Sequence, residues 1–184
     1  VVIGGIHATL MPDEALSYAD YVVRGEGEYS FLELIRSLEA GCLPEGIPGV
    51  SYWDQGEAIH NPDQQEWVDI DQLPNPDLSL YHRQLSIRTL PVLTSRGCPH
   101  NCTFCCVTIM FGRGYRFRDN EDMLDELSAY RGRNVFFCDD NFTANRRRSK
   151  QLLQGMIDRK INLKGWGAQI RAEAVRDDEL LRLM

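Results

Sequence analysis

Apolar positions along the chain fall into two rhythms, short continuous runs and stripes at helical spacing, and the two alternate. Val1-Val-Ile3 predicts a strand that stops at Gly4-Gly5, where backbone or a ligand can approach closely. Pro12-Asp-Glu14 opens a helix, with proline in its first turn and acids near its N-terminus. Tyr21-Val-Val23 returns as a strand and ends at Arg24-Gly-Glu-Gly27. From Glu28 to Glu39, Phe31, Leu32, Leu34, Ile35 and Leu38 recur at helical spacing. Residues 1–40 therefore predict an α/β layer, with ligands expected at the strand ends.

The pattern then breaks at Gly41, Pro44, Gly46, Pro48 and Gly49. Val50-Ser-Tyr-Trp53 and Glu57-Ala-Ile-His60 flank Asp54-Gln-Gly56 as a hairpin. Asp71-Gln-Leu-Pro-Asn-Pro-Asp77 follows as an extended linker between two domains. Trp53, Trp67 and Tyr81 are assigned to packing at a domain interface, and His60 and His82 to surface or linker.

Thr89-Leu-Pro-Val-Leu-Thr94 has the composition of a buried parallel strand, broken by Arg96-Gly97. Ile109 to Arg118 reads as a loop in which Arg113, Arg116 and Arg118 interleave with aromatics, either to meet an anionic group or simply to be solvated. Asn120 is expected to cap a helix whose inner stripe is Met123, Leu124 and Leu127. Asn134-Val-Phe-Phe-Cys138 is a strand. Asn145 leads into a helix with an inner stripe of Leu152, Leu153, Met156 and Ile157 and with Arg146-Arg-Arg148 on its solvent side. Gly165 to Ile170 is a further strand, and Cys42 and Cys138 are assigned to packing.

Composition narrows the class. With 184 residues there is room for one domain and part of another. The opening residues read as mid-strand and Asp177 to Met184 as a helix cut in mid-course, so a fragment is expected, neither stable nor active alone. A formal net charge of −7 argues against a nucleic-acid partner, which needs a basic surface. Six cysteines without a signal peptide or transmembrane run point to a reducing compartment, the cytoplasm. In that compartment the glycosylation patterns at Asn101 and Asn141 are chance.

The densest chemistry lies in Thr94-Ser-Arg-Gly-Cys98-Pro-His-Asn-Cys102-Thr-Phe-Cys105, a C-x3-C-x2-C spacing directly after a strand. Three closely set thiolates can hold three irons of a 4Fe-4S cluster and leave the fourth iron open to a small molecule. Other readings of the same residues are a zinc site completed by His100 or Cys106, a disulfide pair, and thiols buried for packing alone.

The motif, with Phe104 before its last cysteine and βα units after it, resembles the radical S-adenosylmethionine (SAM) enzymes. Gly4-Gly-Ile-His-Ala-Thr9, followed by Arg24-Gly-Glu-Gly-Glu28, resembles the end of the cobalamin-binding domain fused to one class of them. That class's upstream D-x-H-x-x-G, whose histidine can ligate cobalt, is absent. The resemblance implies the end of a Rossmann-like cobalamin-binding domain in residues 1–40, a hairpin and linker in 41–88, and the first three βα units of a partial TIM-type (β/α)6 barrel in 89–184. It implies that Cys98, Cys102 and Cys105 hold the cluster. Phe104, Asp139, Asp140, Gln169 and Arg171 would contact SAM, and Gly4, Gly5, His7, Gly25 and Glu26 would contact cobalamin. The implied activity is cleavage of SAM to a 5′-deoxyadenosyl radical for C-methylation of an unactivated carbon. Oxidative cyclisation, or a non-catalytic zinc or iron–sulfur module, are the alternatives. The implied partners are a small-molecule or lipid-like substrate and an electron donor such as flavodoxin or ferredoxin.

Overall fold

Alternating faces on a short strand set the first layer. In the computed structural model, which describes residues 1–80 and 87–184, β1 (Val2–Gly4) pairs in parallel with β2 (Tyr21–Val23). Val22 and Val23 are neighbours and so point to opposite faces. Val22 packs with Ala8, Ala15 and Leu16, and Val23 with Leu34, Val50 and Tyr52, which gives this sheet a core on each side. Tyr81 and His82 lie outside the described residues.

Between β1 and β2 run α1 (Ile6–Leu10) and α2 (Pro12–Leu16), the second with the expected proline in its first turn. No helix is expected over Ile6 to Leu10, a single turn and a half without a side-chain cap. After β2 comes α3 (Gly27–Glu39). Its buried face is Ser30 and Leu34, whereas Phe31 and Leu32 are exposed, so the inner stripe is narrower than the periodicity implies.

The hairpin is a structural part of this sheet. β3 (Val50–Asp54) pairs antiparallel with β2 and with β4 (Glu57–His60), giving the order β1-β2-β3-β4. Gln55 and Gly56, both at positive φ, make the tight turn such a two-residue connection requires. His60 is no idle surface residue: its ring lies 2.9 Å from Ser51 Oγ and 2.9 Å from the Asp13 carboxylate. The Trp53 indole donates to the Leu16 carbonyl and both Trp53 and Trp67 remain about half exposed.

The chain divides into two compact units, residues 1–68 with 109–111, and residues 69–108 with 112–184. In the second, β5 (Thr89–Val92), β8 (Asn134–Phe137) and β9 (Gly165–Ala168) form a parallel sheet in the order β5-β8-β9. Between them in sequence lie β6 (Ser95–Arg96), α4 (Val107–Phe111), whose last three residues group with the first unit, β7 (Arg116–Phe117), α5 (Asn120–Ala129) and α6 (Arg146–Asp158), with α7 (Asp178–Leu183) last.

Leu90 and Val92 of β5 and Val135 and Phe137 of β8 face Met123, Leu124 and Leu127 of α5 and Leu152, Leu153 and Met156 of α6. The opposite face carries Pro91 and Phe136, both exposed, so these strands alternate rather than being buried on both sides. Pro91 is tolerated because β5 lies at the edge of this sheet and a ladder donor is not needed there. Asp119, not Asn120, caps α5, accepting from the amides of Glu121 and Asp122, while Asn145 caps α6 as expected. Ile157 is exposed and drops out of the α6 stripe.

Candidate functional site: a thiol loop at the edge of a parallel sheet

Parallel strands end on one edge, so the segments after β5, β8 and β9 are brought together there. They are Thr94 to Cys105, Asp139-Asp140 and Gln169 to Arg171. A thiol-bearing loop leaves β5 and returns at β7, closed at its base by the two-residue ladder of Ser95 with Phe117 and Arg96 with Arg116. The Arg118 amide continues the closure by donating to the Thr94 carbonyl at 3.0 Å.

Two acids after β8 hold the strand side of that base. Asp139 is wholly buried, and its carboxylate accepts from the Thr94 amide (2.7 Å), the Thr94 hydroxyl (2.6 Å), the Ser95 amide (3.1 Å) and the Ser95 hydroxyl (2.7 Å). These four bonds use the acceptor capacity of a carboxylate. This side chain, expected to contact SAM, is committed to the loop base. Asp140 accepts from the Gly97 amide at 2.9 Å, and Gly97 has φ 84, a backbone conformation glycine takes without strain. Burial pushes the Asp140 carboxyl above its ordinary value, with the Gly97 hydrogen bond opposing. Neither acid caps the following turn.

Arg148 holds the base from the helix side. Predicted to face solvent, it is only 5% exposed. Its guanidinium donates to the Thr94 hydroxyl (3.0 Å), the Thr94 carbonyl (3.1 Å) and the Arg118 carbonyl (2.9 Å), and it lies over the Phe117 ring. Burial lowers its pKa, and the neighbouring Tyr115 and the Asp139 carboxylate work against that. A signal for it exists in the sequence. Three arginines open α6, where the helix dipole favours acids, so at least one of them needed another reason to be there. Arg118 in turn pairs with the buried Glu126 at 2.6 Å instead of standing open to an anion.

Cys98, Cys102 and Cys105 are free thiols, each partly buried, while Phe104 between them is 91% exposed. Among the described residues no three His, Cys, Asp or Glu side chains are gathered as ligands of a single ion would be. Across the sheet edge, the Arg171 guanidinium donates to Cys102 Sγ at 3.2 Å and is held by Glu173. Gln169 is exposed, and its carbonyl accepts from the Phe142 amide at 2.9 Å. Cys42 and Cys138, assigned to packing, are exposed. The donor set, three unpaired thiols on one short loop beside a fixed cation, suits a metal–sulfur group that is bound through thiolates.

In the first unit, a cavity of about 480 Å³ opens at the ends of β1 and β2, lined by Gly4, Gly5, Gly25, Gly27, Glu28 and Phe31 among others. Thr9 bridges the two glycine turns: its hydroxyl donates to the Gly5 carbonyl and accepts from the Gly25 amide, each at 2.9 Å. At Gly5, with φ 92, no atom lies within 4 Å of where a Cβ would stand, so the turn leaves open space beside the backbone. Gly4, Gly5 and Gly25 thus line one cavity. His7 and Glu26 do not join them. His7 points outward, 3.5 Å from the Glu14 carboxylate, and Glu26 is buried with its carboxylate accepting from the Val68 amide at 2.7 Å.

The model of the radical SAM superfamily matches residues 92–184. An uncharacterized methyltransferase of Pyrococcus horikoshii is 34% identical over 92% of this chain and 38% of its own length. The anaerobic magnesium-protoporphyrin IX monomethyl ester cyclase of Cereibacter sphaeroides is 32% identical over 98% of this chain and 32% of its own. The chain thus spans 38% and 32% of the length of these two curated relatives. Among solved structures, the cobalamin-dependent S-adenosylmethionine radical enzyme OxsB with aqua-cobalamin bound superposes with a TM-score of 0.76 at 23% identity, covering 99% of this chain and 28% of that one, a likeness of fold. The match begins at Val92 and takes in the whole thiol loop with the strands and helices behind it, and on that ground the chain belongs to the radical SAM superfamily.

Proposed function

We propose that this chain is the junction of a cobalamin-dependent radical SAM methyltransferase. On this reading residues 1–40 are the end of a Rossmann-like cobalamin-binding domain, residues 41–88 the connecting segment, and residues 89–184 the first three βα units of a partial (β/α)6 barrel. The observation that carries it is the thiol loop itself, anchored at the C-terminal edge of an all-parallel sheet. Cys98, Cys102 and Cys105 hold a 4Fe-4S cluster as thiolates, each on a different iron. Phe104 and Gln169, both exposed at that edge, are left free to contact SAM.

When bound, the cluster supplies the electron that cleaves SAM, and cobalamin carries the methyl group. The residues of this chain do the positioning. Asp139 and Arg148 fix the two ends of the loop, Asp140 fixes Gly97 one residue before the first thiolate, and the glycine turns joined by Thr9 leave room for the tail of a large cofactor at β1 and β2. The exposed face of Pro91 and Phe136 is the one a completed barrel would enclose with its substrate. The substrate is a small or lipid-like molecule, and reduction comes from a flavodoxin- or ferredoxin-type donor. Among the described residues no helix is long and apolar enough to cross a membrane.

Oxidative cyclisation is the second reading, favoured by the similarity to the ester cyclase. The test is made on the complete gene product purified without oxygen: iron, zinc and cobalamin content, electron paramagnetic resonance of the reduced protein with and without SAM, and transfer of label from methyl-labelled SAM. About four irons per chain, a signal altered by SAM and labelled product establish the methyltransferase. A SAM-sensitive signal without methyl transfer moves the assignment to the cyclase. One zinc and no iron overturns both.

A further inference from the structure

We propose that Arg171 acts on the cluster through Cys102, as a positioning residue that raises the cluster's reduction potential, and is not a ligand of SAM. The proposal rests on the cluster assignment above. The geometry is specific. Arg171 leaves the end of β9 and points Nη1 at Cys102 Sγ, 3.2 Å away, across a sequence separation of 69 residues. Its Nε is held by the Glu173 carboxylate, in the 3-10 turn Ala172–Arg176 that follows. The Arg171 guanidinium keeps the Glu173 carboxyl below its ordinary value. Glu173 therefore stays ionised and fixes one side of a planar fork, so the other side faces the sulfur without searching for it.

A cation hydrogen-bonded to a ligating sulfur withdraws charge from it. The reduced cluster carries one more negative charge than the oxidised one, so such a donor favours the reduced form and raises the potential. Because a guanidinium is charged throughout the working pH range, the effect is constant with pH. A SAM ligand would behave differently: its loss weakens SAM binding and leaves the SAM-free cluster unchanged.

The experiment uses the complete protein, anaerobically reconstituted, as wild type, Arg171→Lys, Arg171→Met and Glu173→Gln. Iron is counted first, then the cluster potential is measured without SAM by redox titration followed by electron paramagnetic resonance, and SAM affinity is measured separately. Removing one charge-assisted hydrogen bond in Arg171→Met should lower the ratio of reduced to oxidised cluster about tenfold at a fixed ambient potential, equal to about 59 mV for a one-electron couple. Arg171→Lys, which keeps the charge but loses the fork, should recover part of the shift, and Glu173→Gln should show a smaller fall. If Arg171→Met instead holds its cluster at the wild-type potential while SAM binding weakens, the proposal is overturned and Arg171 is a SAM contact. If Arg171→Met alone fails to hold iron, Glu173→Gln decides: an unchanged potential there overturns the proposal. Wild-type protein without a cluster defeats the parent reading, and with it this one, and is recognised at the iron count.

Discussion

Cutting Asp139 back to alanine separates an anchor of the thiol loop from a SAM ligand. The carboxylate is 0% exposed, and two of its four donors are the backbone amides of Thr94 and Ser95, which cannot turn elsewhere. The two hydroxyls can rotate, and count for less. Each buried amide left without an acceptor costs about 1–3 kcal/mol, so Asp139→Ala should cost about 2–6 kcal/mol. Arg148 adds to this, because the charge that offsets its burial disappears with the carboxylate. The loss is a large part of the 5–15 kcal/mol or so that a domain has in total. Asp139→Asn keeps one oxygen for the two amides and should cost less, but its new amino group faces two hydroxyls that now have to accept.

Hydrogen exchange of the complete protein without SAM reads the local term directly, since the two amides are themselves the probes. At about tenfold per 1.4 kcal/mol, the lower bound of 2 kcal/mol corresponds to exchange faster by about 30-fold at Thr94 and Ser95 in the alanine variant. Urea unfolding should show a lower midpoint with an unchanged slope. Wild-type exchange and wild-type unfolding, accompanied by weaker SAM binding, would refute the reasoning and return Asp139 to the ligand.

Asp140→Asn keeps an acceptor for the Gly97 amide and removes a buried charge. Because burial raises the folded pKa above the ordinary carboxyl value, the unfolded chain releases this proton first as pH rises, and wild type should lose stability relative to the variant over that interval in paired urea titrations. Tyr130 is raised to about 12, first by burial and then by Glu126, whose carboxylate accepts its hydroxyl at 3.2 Å. Folded protein keeps this proton while unfolded chain releases it from about pH 10 upward, so the contribution to stability is lost between 10 and 12. Ultraviolet absorbance of the phenolate should follow one tyrosine ionising later than the rest, and Tyr130→Phe should remove that late step. Gly49→Ala should destabilise the first unit by about 2–3 kcal/mol, because φ is 75 and the new Cβ would stand 2.7 Å from the Arg24 carbonyl oxygen, a backbone atom; thermal unfolding checks it, and an unchanged midpoint would refute it.

The parts of the fold that are written locally were legible. Tyr21–Val23, the hairpin about Gln55 and Gly56, and α6 from its Asn145 cap all follow from short-range patterning. Elements too short to carry a period were not: α1 has five residues, and β6 and β7 have two each. Charge misled where burial was set by tertiary partners. Arg148 and Arg147 are neighbours of the same type, yet one is buried against Thr94 and the other is exposed, because only one helical position faces the loop base. At the site, the cysteine spacing was fully legible because the three thiols are close in sequence. The jobs of Asp139 and Arg171 were not, since they depend on contacts 44 to 69 residues apart.

The division of labour around the loop has a physical cause. Among the described residues, the hydrophobic core of the second unit draws no side chain from the thiol loop, Thr94 to Cys105, so that core does not order it. What holds it is a ring of buried polar groups at its base: Asp139 on Thr94 and Ser95, Arg148 on Thr94 and Arg118, and Glu126 on Arg118. Such groups are costly to leave unpaired and so define one arrangement sharply. Towards the tip the constraint fades: Asp140 still fixes Gly97, Arg171 still reaches Cys102, and Phe104 has no cover at all. A loop fixed at the base and open at the tip can set three thiols beside the sheet edge before any metal arrives and still adjust their spacing around what they bind. A hydrophobic anchor would have tied the tip into the core and closed off the edge that the proposed cluster and its ligand would need.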